Sequence, residues 1–328
     1  MPARLTVFYP NGPARRFYLE NGRDCLIGRG ADCDLALDDR RLSRRHAVLR
    51  CRPDGWMLED LDSKNGVQVD GRRKHAADLG NRSWISFGGL VASFDLVSTA
   101  VRRAEERSDA ARREESIERR RQLDPAEGLD RVLERLLESV LALAGADRGF
   151  IFLRVPKGDV RVMRGMPGGR ALKEADFTGS SGALETAMRE LRAVVTCDAT
   201  EDALLANRAS IADEAIRALV CLPLAIGDKA LGAIYADSRT PGKVFSELDL
   251  EMLEALANHA ALVIGVSILR DDIAGLAGML PRDLEHAAAL PELAALLRER
   301  LSGHTGLAAE TMTGIPAGRI PTDGRGAL

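Results

Sequence analysis

The segment LSRRHAVL, residues 42–49, sets a serine and a histidine three positions apart among four arginines, Arg40, Arg41, Arg44 and Arg45. Ser43 as nucleophile with His46 as base would be hydrolase chemistry, provided a third group orients the histidine. Two features argue against it. If Ser43 enters a strand, His46 lies at an odd offset and points to the opposite face. The residues around Ser43 also do not form the G-x-S-x-G elbow. The same neighbourhood does suit anion binding. A phosphate carries about −1.5 to −2 charges and three acceptor oxygens. It is best held by a guanidinium fork, a hydroxyl and a second cation on rigidly placed loops, and the sequence offers all three.

The elements that must position these groups follow from patterning. With 328 residues, 45% hydrophobic and 29% charged, the chain has room for roughly two globular domains. Residues 4–98 read as short alternating runs, among them RLTVFY, HAVLRC, SWISFGG and VASFDLV, separated by Gly, Asn and Asp. That spacing predicts an all-β sandwich over residues 1–98. Residues 99–124 are dense in charge with almost no apolar stripe, and pairs such as Asp109 with Arg113 and Glu115 with Arg119 fall four apart. They are expected to form a solvated, semi-rigid helical linker.

From residue 125 the pattern changes to helix, strands, helix. Leu129, Leu133, Leu136, Val140 and Leu143 recur at alternating spacings of four and three, with Val132, Leu137 and Leu141 widening the face. Strand-like runs such as FIFLRV, ALVCLPLAI and ALGAIYAD precede a long amphipathic helix over about 246–269. Residues 125–269 are therefore expected to be an α+β domain. Pro281 and Pro291 divide an expected extension of short helices over 270–301. Residues 302–328, rich in Gly, Thr and Pro, are expected to be a disordered tail.

Bulk properties exclude several classes. A net charge of −3 gives little whole-molecule attraction to nucleic acid or an anionic membrane, so phosphate recognition must be local. Cys25, Cys33, Cys51, Cys197 and Cys221 are odd in number and match neither a zinc pattern nor a disulfide framework. They read as structural thiols, mostly buried. MPARLTVFYPNG turns polar before a signal-type core develops, and the chain lacks a run of about 18 apolar residues, so a reducing cytoplasm is expected. It also lacks a P-loop G-x-x-x-x-G-K-[ST].

In their order and spacing, Gly28-Arg29, Ser43-x-x-His46 and Asn65-Gly66 make residues 4–98 resemble the forkhead-associated (FHA) domain family. The resemblance implies an eleven-stranded type of β-sandwich that binds phosphothreonine peptides through loops at one end. Arg29 and Ser43 match the phosphate-holding positions, with Arg44 and Lys64 supplying further contacts. Asn65 matches the residue that grips the peptide backbone, and Arg41 the position that often reads the third residue after the phosphothreonine. Gly28, His46 and Gly66 match structural positions of the motif. Lys64 departs from the small polar residue many relatives carry, which bears on affinity and on threonine-versus-serine preference.

Residues 125–269 resemble the GAF domain family through Asp147 to Leu153, Pro223, Gly232 to Asp237, and Phe245 with Asp249. The resemblance implies an antiparallel sheet with flanking helices that serves small-ligand sensing or dimerisation. Cyclic-nucleotide binders of the family carry Asn-Lys upstream of Phe-x-x-x-Asp, whereas this chain has Asp228-Lys229. His259 on the final helix and Cys221 inside an apolar strand read as core residues, not as a haem ligand or a bilin-bearing thiol, so no cofactor or metal is implied. The helices around Leu129–Leu143 and Leu253–Ile268 are expected to form an intersubunit bundle.

Residues 270–328 are too few for a catalytic domain, and the resulting expectation is a non-enzymatic bacterial cytoplasmic adaptor, dimeric through its GAF helices, that docks proteins phosphorylated by a Ser/Thr kinase. The alternative is a small-molecule sensor whose FHA domain is autoregulatory and docks Thr305, Thr311, Thr313 or Thr322 of its own phosphorylated tail.

Overall fold

A computed structural model describes residues 1–154, 160–166, 177, 179–197 and 216–279. The expected tail over 302–328, with its four threonines, and the extension beyond 279 lie outside the described residues.

The N-terminal region is a sandwich of eleven strands. They are β1 (Ala3–Phe8), β2 (Arg15–Leu19), β3 (Cys25–Gly28), β4 (Leu35–Ala36), β5 (Ala47–Arg52), β6 (Gly55–Asp60), β7 (Val67–Val69), β8 (Arg72–Lys74), β9 (Ala76–Leu79), β10 (Ser83–Phe87) and β11 (Leu90–Leu96). One sheet has the order β2-β1-β11-β10-β7-β8 and the other β4-β3-β5-β6-β9. The strict alternation of the sequence explains the packing. Ala3, Leu5 and Val7 of β1 face inward, as do Leu90, Ala92 and Phe94 of β11. Between the sheets, Ile27, Leu49, Leu58, Ile85 and Phe87 close the core, and Trp56 meets Phe94 edge to face at 6.2 Å.

The second domain is built on an antiparallel sheet of order β13-β12-β16-β15-β14. Its strands are β12 (Arg148–Arg154), β13 (Val160–Met166), β14 (Val194–Cys197), β15 (Ala218–Ile226) and β16 (Lys229–Ser238). Helices α2 (Leu129–Ala144) and α4 (Glu247–Met279) cover one face, and α3 (Ser181–Glu190) covers the other. The α2–α4 layer packs Leu133, Leu136, Leu137 and Val140 with Leu253, Leu256, Ala260 and Ile264. These residues are consumed inside one chain, which corrects the expected intersubunit bundle. The apolar stripe that α4 leaves exposed is instead Leu262, Val266, Leu269 and Ile273. Helix α4 continues without a break through residue 279, so the expected boundary at 269 is not a break in the helix. By length and composition α4 could span a membrane, but half of its most apolar stretch is packed inside the protein.

Helix α1 (Thr99–Arg121) joins the domains, and it is fastened to both. Toward the sandwich, Glu105 accepts from Arg4 and from the Tyr18 hydroxyl, and Asp109 pairs with Arg16. On the other side, Arg112 ion-pairs with Asp249 and donates to the Leu143 carbonyl, while Arg113 pairs with Glu251. Glu115–Arg119 forms as the spacing predicts. The Asp109–Arg113 pairing does not, because each side chain reaches a different domain. A second junction bypasses α1: the Ala14 amide donates to the Phe245 carbonyl at 2.8 Å, and the Glu247 amide to the Ala14 carbonyl at 3.1 Å.

Candidate functional site

Four connections of the sandwich converge at one end: β3–β4, β4–β5, β6–β7 and β10–β11. Backbone bonds weld the first two, with Arg29 N donating to Ser43 O at 3.0 Å and Gly30 N to Arg44 O at 2.9 Å. This approach explains Gly28, since a Cβ there would overlap the Arg44 carbonyl. The third loop is held by Lys64 N donating to Ser43 Oγ at 3.0 Å and by Asn65 Nδ2 donating to Arg41 O at 2.7 Å.

His46 is the hub of the arrangement and is fully buried. Its Nδ1 accepts from the Ser43 amide at 3.1 Å, so Nε2 carries the proton and donates to the Gly66 carbonyl, 3.2 Å away. The backbone of His46 adds two more bonds, to Ile27 and Leu61. Burial pushes the imidazole below its ordinary pKa, which fits a neutral ring used as a two-ended brace. Ser43 and His46 do touch, but the contact is from the serine's backbone amide. Among the described residues no base approaches the Ser43 hydroxyl, whose oxygen is already an acceptor for the Lys64 amide.

The charges around this scaffold differ in their freedom. Arg29, Arg44, Lys64 and Asn65 are exposed, and Ser43 is half-buried between them. Arg29, Arg44 and Lys64 form no ion pair with any described residue. Six other arginines of the sandwich are neutralised, among them Arg4 by Asp95, Arg15 by Glu247, Arg16 by Asp109, Arg23 by Asp34, and Arg50 by Asp24 and Glu59. Arg41 belongs to this second group. Its guanidinium grips Asp39 through two bonds of 2.9 and 2.6 Å, holding the Asp39 carboxyl below its usual range. The structure therefore places Arg41 at the site's edge but not free within it. Three uncompensated cations, a hydroxyl with a proton to donate and a side-chain amide with an unused oxygen amount to a rigid anion cradle.

In the second domain, Phe245 is fully buried and its amide donates to Cys197 Sγ at 3.3 Å. Asp249 caps α4: its Oδ2 accepts from the Ser246 amide at 2.7 Å, while Ser246 Oγ accepts from the Asp249 amide at 3.2 Å. This pair accordingly starts a helix and docks Arg112. Asp228 and Lys229 sit at the β15–β16 turn. His259 is half-buried on α4, and Cys221, fully buried, has its thiol pushed up to about 12 by desolvation. On the α3 face, Phe177 meets Phe150, Phe152 and Tyr235 edge to face at 4.9 to 5.1 Å. All five cysteines are free, four of them buried. Among the described residues, no cluster of His, Cys, Asp or Glu could hold a metal ion.

Comparison with known proteins identifies both domains. Residues 25–88 match the FHA domain model and residues 128–264 the GAF domain model. The chain is 35% identical over 79 residues to an oxoglutarate dehydrogenase inhibitor of Corynebacterium jeikeium, covering 24% of this chain and 54% of that protein. To FhaB of Mycobacterium tuberculosis it is 49% identical over 45 residues, 14% of this chain and 29% of the relative. FhaA of the same organism is 36% identical over 66 residues, 20% and 12%. The chain thus spans at most about half the length of these curated relatives. A solved FHA domain from a study of phosphothreonine-dependent interactions aligns at 28% identity, covering 30% of this chain and 99% of that one, with a TM-score of 0.28. One from Chlamydia trachomatis also aligns at 28% identity, covering 30% and 100%, with a TM-score of 0.29.

Proposed function

We propose, for a chain that carries an FHA domain followed by a GAF domain, that it is a non-enzymatic cytoplasmic adaptor docking threonine-phosphorylated proteins. The observation that carries this reading is the set of unpaired cations, Arg29, Arg44 and Lys64, fixed around the Ser43 hydroxyl by bonds that need no ligand. In the bound state Arg29, Arg44 and Lys64 hold the phosphate, with Ser43 donating its hydroxyl. Asn65 offers its side-chain oxygen to a peptide amide. Gly28, His46 and Gly66 keep the loops in place. Arg41, neutralised by Asp39, reads the third residue after the phosphothreonine as a wall more than as a charge. Charge-assisted bonds of about 1.5–3 kcal/mol each, less the ordering of an extended peptide, lead to roughly micromolar affinity, about 8 kcal/mol.

The second domain supplies small-ligand sensing, dimerisation, or both. A homodimer is favoured by the exposed stripe of Leu262, Val266, Leu269 and Ile273, each between 52% and 58% accessible and spaced four, three and four apart. Two FHA sites on one scaffold raise avidity for clustered phosphothreonines made by a Ser/Thr kinase. The test is a degenerate phosphothreonine library offered to the native chain, Arg29→Ala and Ser43→Ala. Phosphate-dependent binding lost in both variants supports the reading. No phosphopeptide binding by the native chain overturns it.

A further inference from the structure

A guanidinium outside the cradle lies against it. Strand β8 is the edge of its sheet, paired to β7 so that Arg73 stands opposite Gln68. Gly66 has φ +74°, and a Cβ built on it would lie 2.8 Å from both Nε and Nη2 of Arg73. The Arg73 guanidinium thus occupies the space over Gly66 that a side chain would fill. It sits on the residue that directly follows Lys64-Asn65 and that accepts the His46 hydrogen bond. Arg73 is exposed and forms no ion pair with any described residue. Its neighbour Arg72 projects to the other face and lines a shallow depression with Asp70, Lys74 and Asp78.

We infer that Arg73 is a specificity residue for a second anionic group on the same peptide, so that the preferred ligand is a phosphothreonine flanked by an acidic side chain or another phosphate. This rests on the phosphothreonine reading of the site. The physical reason is that a phosphate carries at most two negative charges, and Arg29, Arg44 and Lys64 already supply three positive ones. Arg40 and Arg45 are also exposed, but it is the Arg73 fork, on an open strand edge, that lies over Gly66 next to Lys64 and Asn65; it is placed to meet a different anion, and its planar geometry suits a carboxylate or a phosphate equally. The fork is held by a strand, whereas Arg29 and Arg44 lie on loops, so it can read position along the peptide and not merely add charge.

The experiment uses the full-length chain and three versions of one library-selected peptide. The first has phosphothreonine alone, the second has glutamate placed in turn at each of the three positions on either side, and the third has a second phosphothreonine there. Native protein should bind the best glutamate or doubly phosphorylated peptide about 5-fold or more tighter than the one with phosphothreonine alone, the gain expected of one partly exposed ion pair near 1 kcal/mol. Arg73→Ala should bind the peptide with phosphothreonine alone as the native chain does and lose that gain, whereas Arg72→Ala, with the same loss of charge on the same strand, should keep it. Equal effects of the two variants, or an unchanged gain in Arg73→Ala, overturn the inference. If the peptide with phosphothreonine alone binds and its binding is lost in Arg29→Ala while Arg73→Ala leaves the discrimination intact, the inference fails and the adaptor reading stands. Failure of every phosphopeptide to bind overturns both.

Discussion

Replacing His46 with alanine removes the brace that connects two loops of the cradle. The substitution deletes the bonds at 3.1 Å from the Ser43 amide and 3.2 Å to the Gly66 carbonyl, and it opens a cavity against Phe87, whose ring lies 6.2 Å away. Two neutral hydrogen bonds at about 0.5–1.5 kcal/mol each, together with the desolvated groups left behind, amount to about 2–4 kcal/mol. The chain contains two tryptophans, Trp56 and Trp84, both in the sandwich. Tryptophan emission during urea unfolding of the full chain therefore reports that domain alone. The pH dependence carries its own signature. Because burial holds the folded His46 below its ordinary pKa, protons bind the unfolded chain first as pH falls. The native chain should hold its stability above about pH 6.5 and lose it below, at no more than about 1.4 kcal/mol per pH unit, until the folded ring itself protonates. In His46→Ala that segment of the slope should vanish. Peptide affinity should fall at least about 10-fold with the loss of loop placement, whereas Arg29→Ala should lose affinity at unchanged stability. A His46→Ala chain with native midpoint and native pH slope would refute the account of the brace.

Three further outcomes can be measured. Gly28→Ala forces a Cβ into the Arg44 carbonyl and should cost about 1–3 kcal/mol by tryptophan emission; a shift under a few tenths would show that the loops yield freely. Arg112→Ala strips the partner from Asp249, whose side chain is 9% exposed, at a cost of about 1–3 kcal/mol. It should separate the tryptophan transition from the far-ultraviolet dichroism transition; coincident transitions at the native midpoint would deny the strut its role. The homodimer proposed above predicts that the native chain sediments as a dimer and that Leu269→Glu with Ile273→Glu converts it to a monomer while leaving phosphopeptide affinity per site unchanged; a native monomer, or an unaltered sedimentation profile in the variant, counts against that seam.

Most of the sandwich was legible because its longer strands announce themselves twice, by alternation and by the turn residues that end them, and the candidate site because Gly28-Arg29, Ser43-x-x-His46 and Asn65-Gly66 stand in an order and spacing that resemble the FHA family. Helix α1 was only half legible. Its helicity follows from composition, but Asp109 and Arg113 are equally compatible with each other and with Arg16 and Glu251, so spacing alone cannot separate a solvated face from a docked one. The same ambiguity affects the α2 and α4 leucines, since heptad spacing describes a seam without stating whether the partner helix lies in the same chain. Arg73 was missed because Arg72–Lys74 offers no alternation to read. The available signal was Gly66, whose lack of a side chain leaves room for something else.

The junction at Ala14 differs in kind from the ion pairs of α1. Its centre is a pair of main-chain hydrogen bonds to a buried residue, which salt does not screen, whereas exposed charges, the flanking Arg15–Glu247 pair included, are screened over about 8 Å under physiological conditions. Raising salt should therefore slacken the strut before it releases the pivot. The sandwich would then swing about the first turn of α4 instead of drifting away. Anything that displaces that turn would re-aim the loops around Ser43 about a fixed fulcrum, giving the chain a built-in bearing between what its sheet-and-helix domain experiences and where the proposed binding site points.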